Sequence, residues 1–333
     1  MKVGINGFGR IGRLCLRTLL QRHPRVEVAA VNDLATPDQL AYLFKYDSNY
    51  GKWPGEVTGS GGALHIDGRR IAVTAQPEPA QIPWRDLGVS VVLECSGRYT
   101  DGAKAAGHLA GGAAKVIISA PARNEHLTIV MGVNHHKYDP REHHILSNAS
   151  CTTNALAPMA HVLHRSFGIT RGFMTTVHAY TNSQGMQDMI RPDLREGRAG
   201  AENLVPMATG AARAIGRVLP ELNGRLAGLA IRAPVPSVSI VDLVAIYERP
   251  VTIGDLNGVL AEAADGELKG ILGFTEEPLV STDLRGDTRS SIIDGPLTLA
   301  GDRLGKTHAW YDNEWGYSCR LGDLANYVLE QGR

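Results

Sequence analysis

Asn6-Gly7-Phe8-Gly9-Arg10-Ile11-Gly12 is the stretch on which the fold turns. The apolar run Met1-Lys2-Val3-Gly4-Ile5 leads into it and reads as a strand. A helical pattern follows in Leu14, Cys15, Leu16, Leu19 and Leu20. A second strand, Val26-Glu27-Val28-Ala29-Ala30-Val31, ends at Asn32-Asp33. A strand, a glycine loop, a helix, a strand and an acid, in that order, predict a dinucleotide-binding unit of Rossmann type. Gly7 permits the tight turn, Gly9 lets the backbone approach a pyrophosphate, and Gly12 lets the helix pack closely. Arg10, Ile11 and Gly12 then open the helix whose N-terminus receives the phosphates. Asp33 lies about 20 residues beyond the last glycine, where a carboxylate holds both ribose hydroxyls and repels a 2′-phosphate. NAD is the expected cofactor.

Working outward, the α/β alternation continues. Val89-Ser90-Val91-Val92-Leu93-Glu94 runs into Cys95-Ser96-Gly97, and Val116-Ile117-Ile118 runs into Ser119-Ala120-Pro121. Ligands bind beyond the carboxyl ends of strands in a parallel sheet, so Ser96, Gly97 and Ser119 are candidate cofactor neighbours; turn chemistry alone also accounts for them. Gly51 to Gly62 reads as turns around a peripheral hairpin. Lysine plus arginine equals aspartate plus glutamate, 34 each, which leaves no electrostatic footprint for nucleic acid or an anionic membrane. No apolar run reaches membrane-spanning length. The chain begins directly on a strand, and Cys15, Cys95, Cys151 and Cys319 are scattered without a CxxC pair. No secretory signal, zinc site or disulfide framework is expected, and a reducing cytoplasm is.

The second chemical signal is Ser147-Asn148-Ala149-Ser150-Cys151-Thr152-Thr153-Asn154, just ahead of the helical pattern Ala155, Leu156, Ala157, Met159, Val162 and Leu163. Thr152, Thr153 or Asn154 is expected to cap the helix start. A sulfur there feels the positive end of the helix dipole, which favours the nucleophilic thiolate. The cofactor domain is expected to end near Ser150. Strands follow at Gly172–His178, Leu226–Arg232, Val238–Tyr247 and His308–Tyr311, with helical stretches within Ala201–Leu219 and Ile253–Ala264. That order predicts an α+β catalytic domain on a mostly antiparallel sheet. His178 closes its strand and is placed to serve as general base and acid for a thiolate; a structural role is the bland alternative. Arg232 interrupts an apolar strand, and a charge there needs a partner. His135, His136, His143 and His144 lie in a polar loop without an acid pattern and read as solvated rather than metal-binding.

Several stretches, in order and from end to end, resemble phosphorylating glyceraldehyde-3-phosphate dehydrogenases. They are the glycine loop, Lys45-Tyr46-Asp47-Ser48, Ser147 to Asn154, Thr175 to Thr181 (TTVHAYT), Thr209 to Ala212 (TGAA), Leu219 to Gly224 (LPELNG) and Trp310 to Gly316 (WYDNEWG). The resemblance implies a Cys151 thiohemiacetal, hydride transfer to NAD, and a thioester released by inorganic phosphate. It implies that Thr181 and Arg232 hold the C3 phosphate of glyceraldehyde 3-phosphate. Ser150, Thr152, Thr209 and Gly210 hold the attacking phosphate, and Arg198 serves the phosphate region. Asn313 takes the nicotinamide carboxamide, with helix capping as its ordinary alternative. The last helix, 314–333, completes the cofactor domain of residues 1–150, leaving 151–313 as the catalytic domain. A homotetramer is implied too.

The chain departs from the common pattern at Ala155, where a second cysteine is frequent, at Ser183, at Gly185 and across Gln76-Pro77-Glu78-Pro79. Ala155 excludes an oxidative disulfide within the site, Ser183 and Gly185 bear on substrate-phosphate affinity and geometry, and the Gln76 to Pro79 stretch bears on NAD affinity. An erythrose-4-phosphate dehydrogenase and an arsenate-using relative are the neighbouring readings, and Thr209-Gly210-Ala211-Ala212 favours the phosphorylating enzyme over the first. A non-catalytic protein on the same scaffold would lack the cysteine or the histidine; both are present.

Overall fold

The computed structural model describes residues 2–332. They divide into two compact units, one built from residues up to Ile129, His135–Ala149 and the chain from Ser318 on, the other from Val130–Asn134 and Ser150–Tyr317.

The first unit contains β1 (Lys2–Asn6), α1 (Arg10–Arg22), β2 (Glu27–Asn32), α2 (Pro37–Lys45), the short strands β3 (Tyr46–Asp47) and β4 (Gly51–Lys52), β5 (Val57–Ser60), β6 (Ala63–Ile66) and β7 (Arg69–Thr74). It continues through β8 (Val89–Glu94), α3 (Gly102–Ala105), α4 (Gly107–Ala110), β9 (Lys115–Ile118), β10 (Leu127–Thr128) and β11 (Ile145–Ser147). Nine strands form one sheet in the order β10-β11-β9-β8-β1-β2-β7-β6-β5. It is parallel from β10 to β7, and β6 and β5 add an antiparallel hairpin. The hairpin turns on Gly61 and Gly62, both at positive φ, as a two-residue loop requires. Val3, Ile5, Val31, Val92 and Ile117 are buried, as strands covered on both faces must be. Gly4 has no side chain because Trp84 fills that space: a Cβ would meet its ring at 2.5 Å. β9 ends at Ile118, and Ser119-Ala120-Pro121 form the bend that follows it.

The second unit holds α5 (Cys151–Phe167), β12 (Ile169–Ala179), β13 (Val205–Ala208), α6 (Ala211–Val218), β14 (Leu226–Ala233), β15 (Ser239–Tyr247) and α7 (Ile253–Asp265). Then come β16 (Leu272–Thr275), β17 (Ser291–Asp294), β18 (Leu299–Gly301), β19 (Leu304–Tyr311) and the start of α8 (Trp315–Gln331). Its sheet runs β13-β14-β12-β15-β19-β17-β16, with β18 on β19. Only the β12/β14 and β16/β17 pairs are parallel, so the mostly antiparallel sheet is borne out. Side chains alternate along β12: Met174, Thr176 and His178 are buried, while Phe173 and Val177 stand out on the other face. The helical stretch expected within 201–219 is confined to α6. Residues 205–208 are instead an edge strand, where Pro206 is tolerated.

Candidate active site

The turn into α5 is built by its own side chains. Ala149 lies in the left-handed region, at φ 55, and its N–H donates to Ser147 Oγ at 3.0 Å. A non-glycine residue there costs on the order of 1 kcal/mol and persists only where neighbours hold it. The helix cap is Ser150, whose Oγ accepts from Thr153 N at 3.0 Å; the expectation of Thr152, Thr153 or Asn154 is corrected by this bond. The reason is register: the helix begins at Cys151, so the residue before it meets the third N–H. Cys151 is thereby the first helical residue, at the positive end of 17 residues of aligned peptides.

His178 reaches the sulfur from β12. Cys151 Sγ and His178 Nε2 are 3.3 Å apart. The far ring nitrogen, Nδ1, lies 2.6 Å from the Ala179 carbonyl and 2.5 Å from Arg232 Nη1. Arg232 faces His178 because the two are register partners on the parallel pair β12/β14. The Tyr311 ring stands edge-on to the imidazole, and its hydroxyl bonds Thr152 Oγ1 at 2.9 Å and Thr176 Oγ1 at 2.7 Å. Burial pushes the Cys151 thiol up, against the dipole expectation, while Arg232 and bonds from Thr152 and the backbone pull it back. Burial, with Arg232 second, pushes the imidazole down to about 3, opposed by the Ala179 carbonyl. The Arg232 guanidinium is the charge that favours the thiolate.

The other candidate anion ligands sit at the ends of β12 and β13, in α5 and on the 182–204 loop. Thr181 follows β12; its Oγ1 bonds Ser183 Oγ at 3.0 Å, and its N–H donates to Gln184 Oε1. The departure at Ser183 therefore supplies a neutral hydroxyl beside Thr181. Thr209 Oγ1 accepts from Ala211 N at 3.2 Å, and Gly210 is the N-cap of α6. Thr152 is buried with its hydroxyl engaged by Tyr311. Arg198 is exposed and paired with Asp188 at 3.1 Å on its own loop.

In the first unit, a cleft is lined by Asn6, Gly7, Gly9, Asp33, Ser96 and Tyr99, with Gln76 and Pro77 at one side. Gly7 has φ 86, and a Cβ on it would strike the Ser96 backbone at 2.5 Å. A Cβ on Gly9 would meet nothing within 4 Å, so it faces open space. A Cβ on Gly12 would meet Gly7 O at 2.2 Å, so its closest packing is against the loop. Asp33 Oδ2 accepts from Phe8 N at 2.7 Å and Oδ1 from Ala35 N at 3.1 Å. Arg10 turns its side chain to Asp47 at 2.5 Å, so what it offers a phosphate is backbone. Ile11 sits beside it in the first turn. Gly97 has φ 71 with open space where a Cβ would be, and Ser119 N–H donates to Glu94 O.

Residues 1–102 match the family profile described as glyceraldehyde 3-phosphate dehydrogenase, NAD binding domain, and residues 150–313 match its C-terminal domain. The chain belongs to the glyceraldehyde-3-phosphate dehydrogenase family. It is 55% identical over 333 residues to the glyceraldehyde-3-phosphate dehydrogenase of Geobacillus stearothermophilus, covering 100% of this chain and 99% of that one. Against glyceraldehyde-3-phosphate dehydrogenase 1 of Bacillus subtilis the identity is 54%, again over 100% and 99%. Against the Streptomyces coelicolor enzyme it is 51%, over 99% of each.

As in a family whose first domain binds NAD, the cleft suits a dinucleotide: a bare Gly9 backbone beside a helix start, and an acid at the end of the second strand. In the catalytic unit Asn313 does not cap α8. Asp312 does, accepting from Glu314 N and Trp315 N. Asn313 Oδ1 instead accepts from Ser239 Oγ at 3.0 Å, which leaves its amide hydrogens for a ligand. Ser239 follows Val238, a β-branched residue at φ 69, and also accepts from Ala179 N. Ser239, Tyr311 and Thr176 were not foreseen as site residues. Nor was the buried chain Trp84–His108–Glu94 that holds Ser96 and Asn6. The one legible signal was Glu94, an acid ending an apolar strand, which demands partners. The four loop histidines do separate work: His143 Nδ1 accepts from Asp139 N, His144 Nδ1 lies against Lys115, and His135 packs on Tyr327 beside His136.

Proposed function

We propose that this chain oxidises D-glyceraldehyde 3-phosphate to 1,3-bisphosphoglycerate with NAD and inorganic phosphate, a step of glycolysis and gluconeogenesis. The observation that carries the reading is Cys151 Sγ at 3.3 Å from His178 Nε2, at the start of a capped helix. The Cys151 thiol passes its proton to His178 Nε2, the thiolate attacks the aldehyde carbon, and the carbonyl oxygen collects that proton from His178. The Cys151 backbone N–H, at the helix start, is positioned to donate to the developing oxyanion. His178 Nε2 then withdraws the hydroxyl proton as the C–H bond breaks. Bound NAD supplies the hydride acceptor, and Gly7, Gly9, Arg10, Ile11, Gly12, Asp33, Ser96, Gly97, Ser119 and Asn313 are the residues we assign to it. The thioester left on Cys151 is attacked by inorganic phosphate, for which Ser150, Thr152, Thr209 and Gly210 supply hydroxyls and a helix start. Thr181 and Arg232 are assigned to the substrate phosphate, and Arg198 to the phosphate region.

Cys151→Ser, assayed for NADH with glyceraldehyde 3-phosphate and with erythrose 4-phosphate, each with and without phosphate, tests the reading. Full dependence on Cys151, on the triose and on phosphate is expected. Phosphate-independent oxidation of the tetrose by the unmodified chain would shift the substrate assignment. The relatives named above are all glyceraldehyde-3-phosphate dehydrogenases, which favours the triose.

A homotetramer is part of the same proposal. The outer face of the catalytic sheet exposes Phe173 (72%), Val177, Leu229, Ile246 and Leu304, a face that a second copy would cover. Four cysteines scattered through the chain without a CxxC pair suit a reducing, cytoplasmic setting. Among the described residues no helix is long and apolar enough to cross a membrane.

A further inference from the structure

The floor of the cleft in the first unit is one continuous set of side-chain bonds. Glu94 ends β8, and its side chain is only 1% exposed. Four bonds are donated to it. Asn6 Nδ2 and His108 Nε2 reach Oε2 at 2.6 and 2.9 Å; the Ser96 N–H, at 2.8 Å, and the Ser96 hydroxyl reach Oε1. An ionised carboxylate only accepts, and it alone suits such a set. The histidine cannot reverse its part. Trp84 Nε1–H donates to His108 Nδ1 at 3.0 Å, and an indole nitrogen never accepts, so the ring's hydrogen sits on Nε2, toward Glu94. From Asn6 the bonds run on. Asn32 Nδ2 donates to Asn6 Oδ1 at 2.8 Å, and Asn32 Oδ1 accepts from Thr74 Oγ1 and Gln76 N. The carboxyl ends of β8, β1, β2 and β7 are thereby tied together under the residues that line the cleft.

This arrangement fixes what Ser96 offers a ligand. Its N–H and its hydroxyl hydrogen are both spent on Glu94, and one hydroxyl lone pair takes the Arg98 N–H at 3.1 Å. A lone pair remains, so any bond between Ser96 Oγ and a ligand is one that the serine accepts. Pyrophosphate oxygens are acceptors and gain nothing there, whereas sugar hydroxyls donate. The strand order says which sugar. β1 lies between β2 and β8, so Asp33, after β2, and Ser96, after β8, flank the glycine loop on opposite sides. With the pyrophosphate at that loop and the adenine ribose at Asp33, the second ribose of a dinucleotide falls on the Ser96 side.

We propose that Glu94 is a positioning residue for the cofactor: by taking both Ser96 hydrogens it makes the Ser96 hydroxyl an acceptor for a hydroxyl of the second ribose. The inference rests on the cleft's being the NAD site. Glu94 lies beneath Ser96 and acts through it. Glutamine keeps the shape but turns one acceptor oxygen into a donor. Because Trp84 holds the His108 hydrogen toward Oε2, the amide nitrogen is driven to the Ser96 side. There it confronts the Ser96 N–H, and the hydroxyl has to turn and give its hydrogen elsewhere.

The test is calorimetric titration of the full chain with NAD, ADP-ribose and AMP at pH 7. ADP-ribose carries the second ribose without the nicotinamide, and AMP carries the adenine ribose only. Glu94→Gln is expected to weaken NAD and ADP-ribose about 10-fold and AMP by less than about 2-fold. Ser96→Ala should reproduce that pattern, and Ser96→Thr, which keeps the hydroxyl, should restore native binding. The double variant Glu94→Gln/Ser96→Ala should bind ADP-ribose no more weakly than Glu94→Gln alone, because both changes remove the same contact. Unchanged ADP-ribose affinity in either single variant overturns the proposal. So does an equal loss of AMP affinity, which would mark a general loosening of the unit. If Glu94→Gln does not fold, Ser96→Ala decides, and normal ADP-ribose binding by that variant overturns the proposal. An unmodified chain that binds AMP but neither NAD nor ADP-ribose defeats the underlying cofactor reading, and this inference with it.

Discussion

The Cys151 sulfur stands 3.3 Å from His178 Nε2, although 27 positions and a whole helix separate the two residues along the chain. The helix cap at Ser150 places the first residue; the alternation of β12, which turns His178 onto the same buried face as Thr176, places the second. His178 is buried and Cys151 half-buried, and that setting governs the pair's response to pH.

Acid is expected to weaken the fold through His178. Its folded value, pushed down to about 3, lies below the ordinary value of 6.5 that the unfolded chain adopts. Between those limits the unfolded chain binds more protons, so the stability from keeping the ring neutral is complete above about pH 6.5 and is lost as pH falls toward 3. In phosphate-free buffer, urea unfolding of the native protein and of His178→Asn at pH 7 and pH 4.5 should give a steeper fall for the native chain, by roughly 1.4 kcal/mol per pH unit at most. Parallel slopes would show that the ring is not held neutral.

Tyr311→Phe keeps the ring against His178 and removes only the hydroxyl shared by Thr152 and Thr176. Two buried hydroxyls lose a partner, at a cost of about 1–3 kcal/mol. Because Thr152 also bonds the Cys151 sulfur, the rate of thiol alkylation by iodoacetamide should change several-fold. An unchanged melting curve together with an unchanged alkylation rate would remove Tyr311 from the site.

Gly7 and Gly9 separate folding from binding. Gly9→Ala places a methyl in open space at φ −70, so stability should move by less than about 0.5 kcal/mol while KM for NAD rises about 10-fold or more. Gly7→Ala sets a side chain at φ 86 against the Ser96 backbone and should destabilise by about 3 kcal/mol or more. Calorimetric melting and NAD titration on both variants check this; a Gly9→Ala protein with normal NAD affinity would refute the pyrophosphate role.

Asp33→Asn tests the ribose. The carboxylate already accepts from Phe8 N and Ala35 N, and an amide that keeps the same shape loses the charge. kcat/KM with NAD should fall about 10-fold, a loss of about 1.4 kcal/mol, and the preference over NADP should narrow. Equal NAD and NADP kinetics in the unmodified chain would contradict the assignment.

Much of this was legible in the residues. The glycine loop and Asp33 carry local chemistry, and Gly7 at φ 86 and the Phe8–Asp33 bond show it at work. Cys151 was legible because a cap and a helix are local too. Asn313 read equally well as a cap, and only the Ser239 bond and the capping by Asp312 separate the readings. Arg198 shows the reverse: its motif suggests a phosphate, yet its nearest charge is Asp188.

By itself the sequence determined the glycine-loop unit, the central strands of both sheets and which residues bring a thiol, an imidazole and a phosphate cradle, because periodicity, capping and glycine conformations act over a few residues. Tertiary structure alone decided what each functional atom touches. The register of β12 against β14 set Arg232 on His178, and β19 brought the Tyr311 hydroxyl to Thr152. Those contacts join positions 54 and 159 residues apart, and such pairings follow from how sheets and helices pack, which no local pattern encodes.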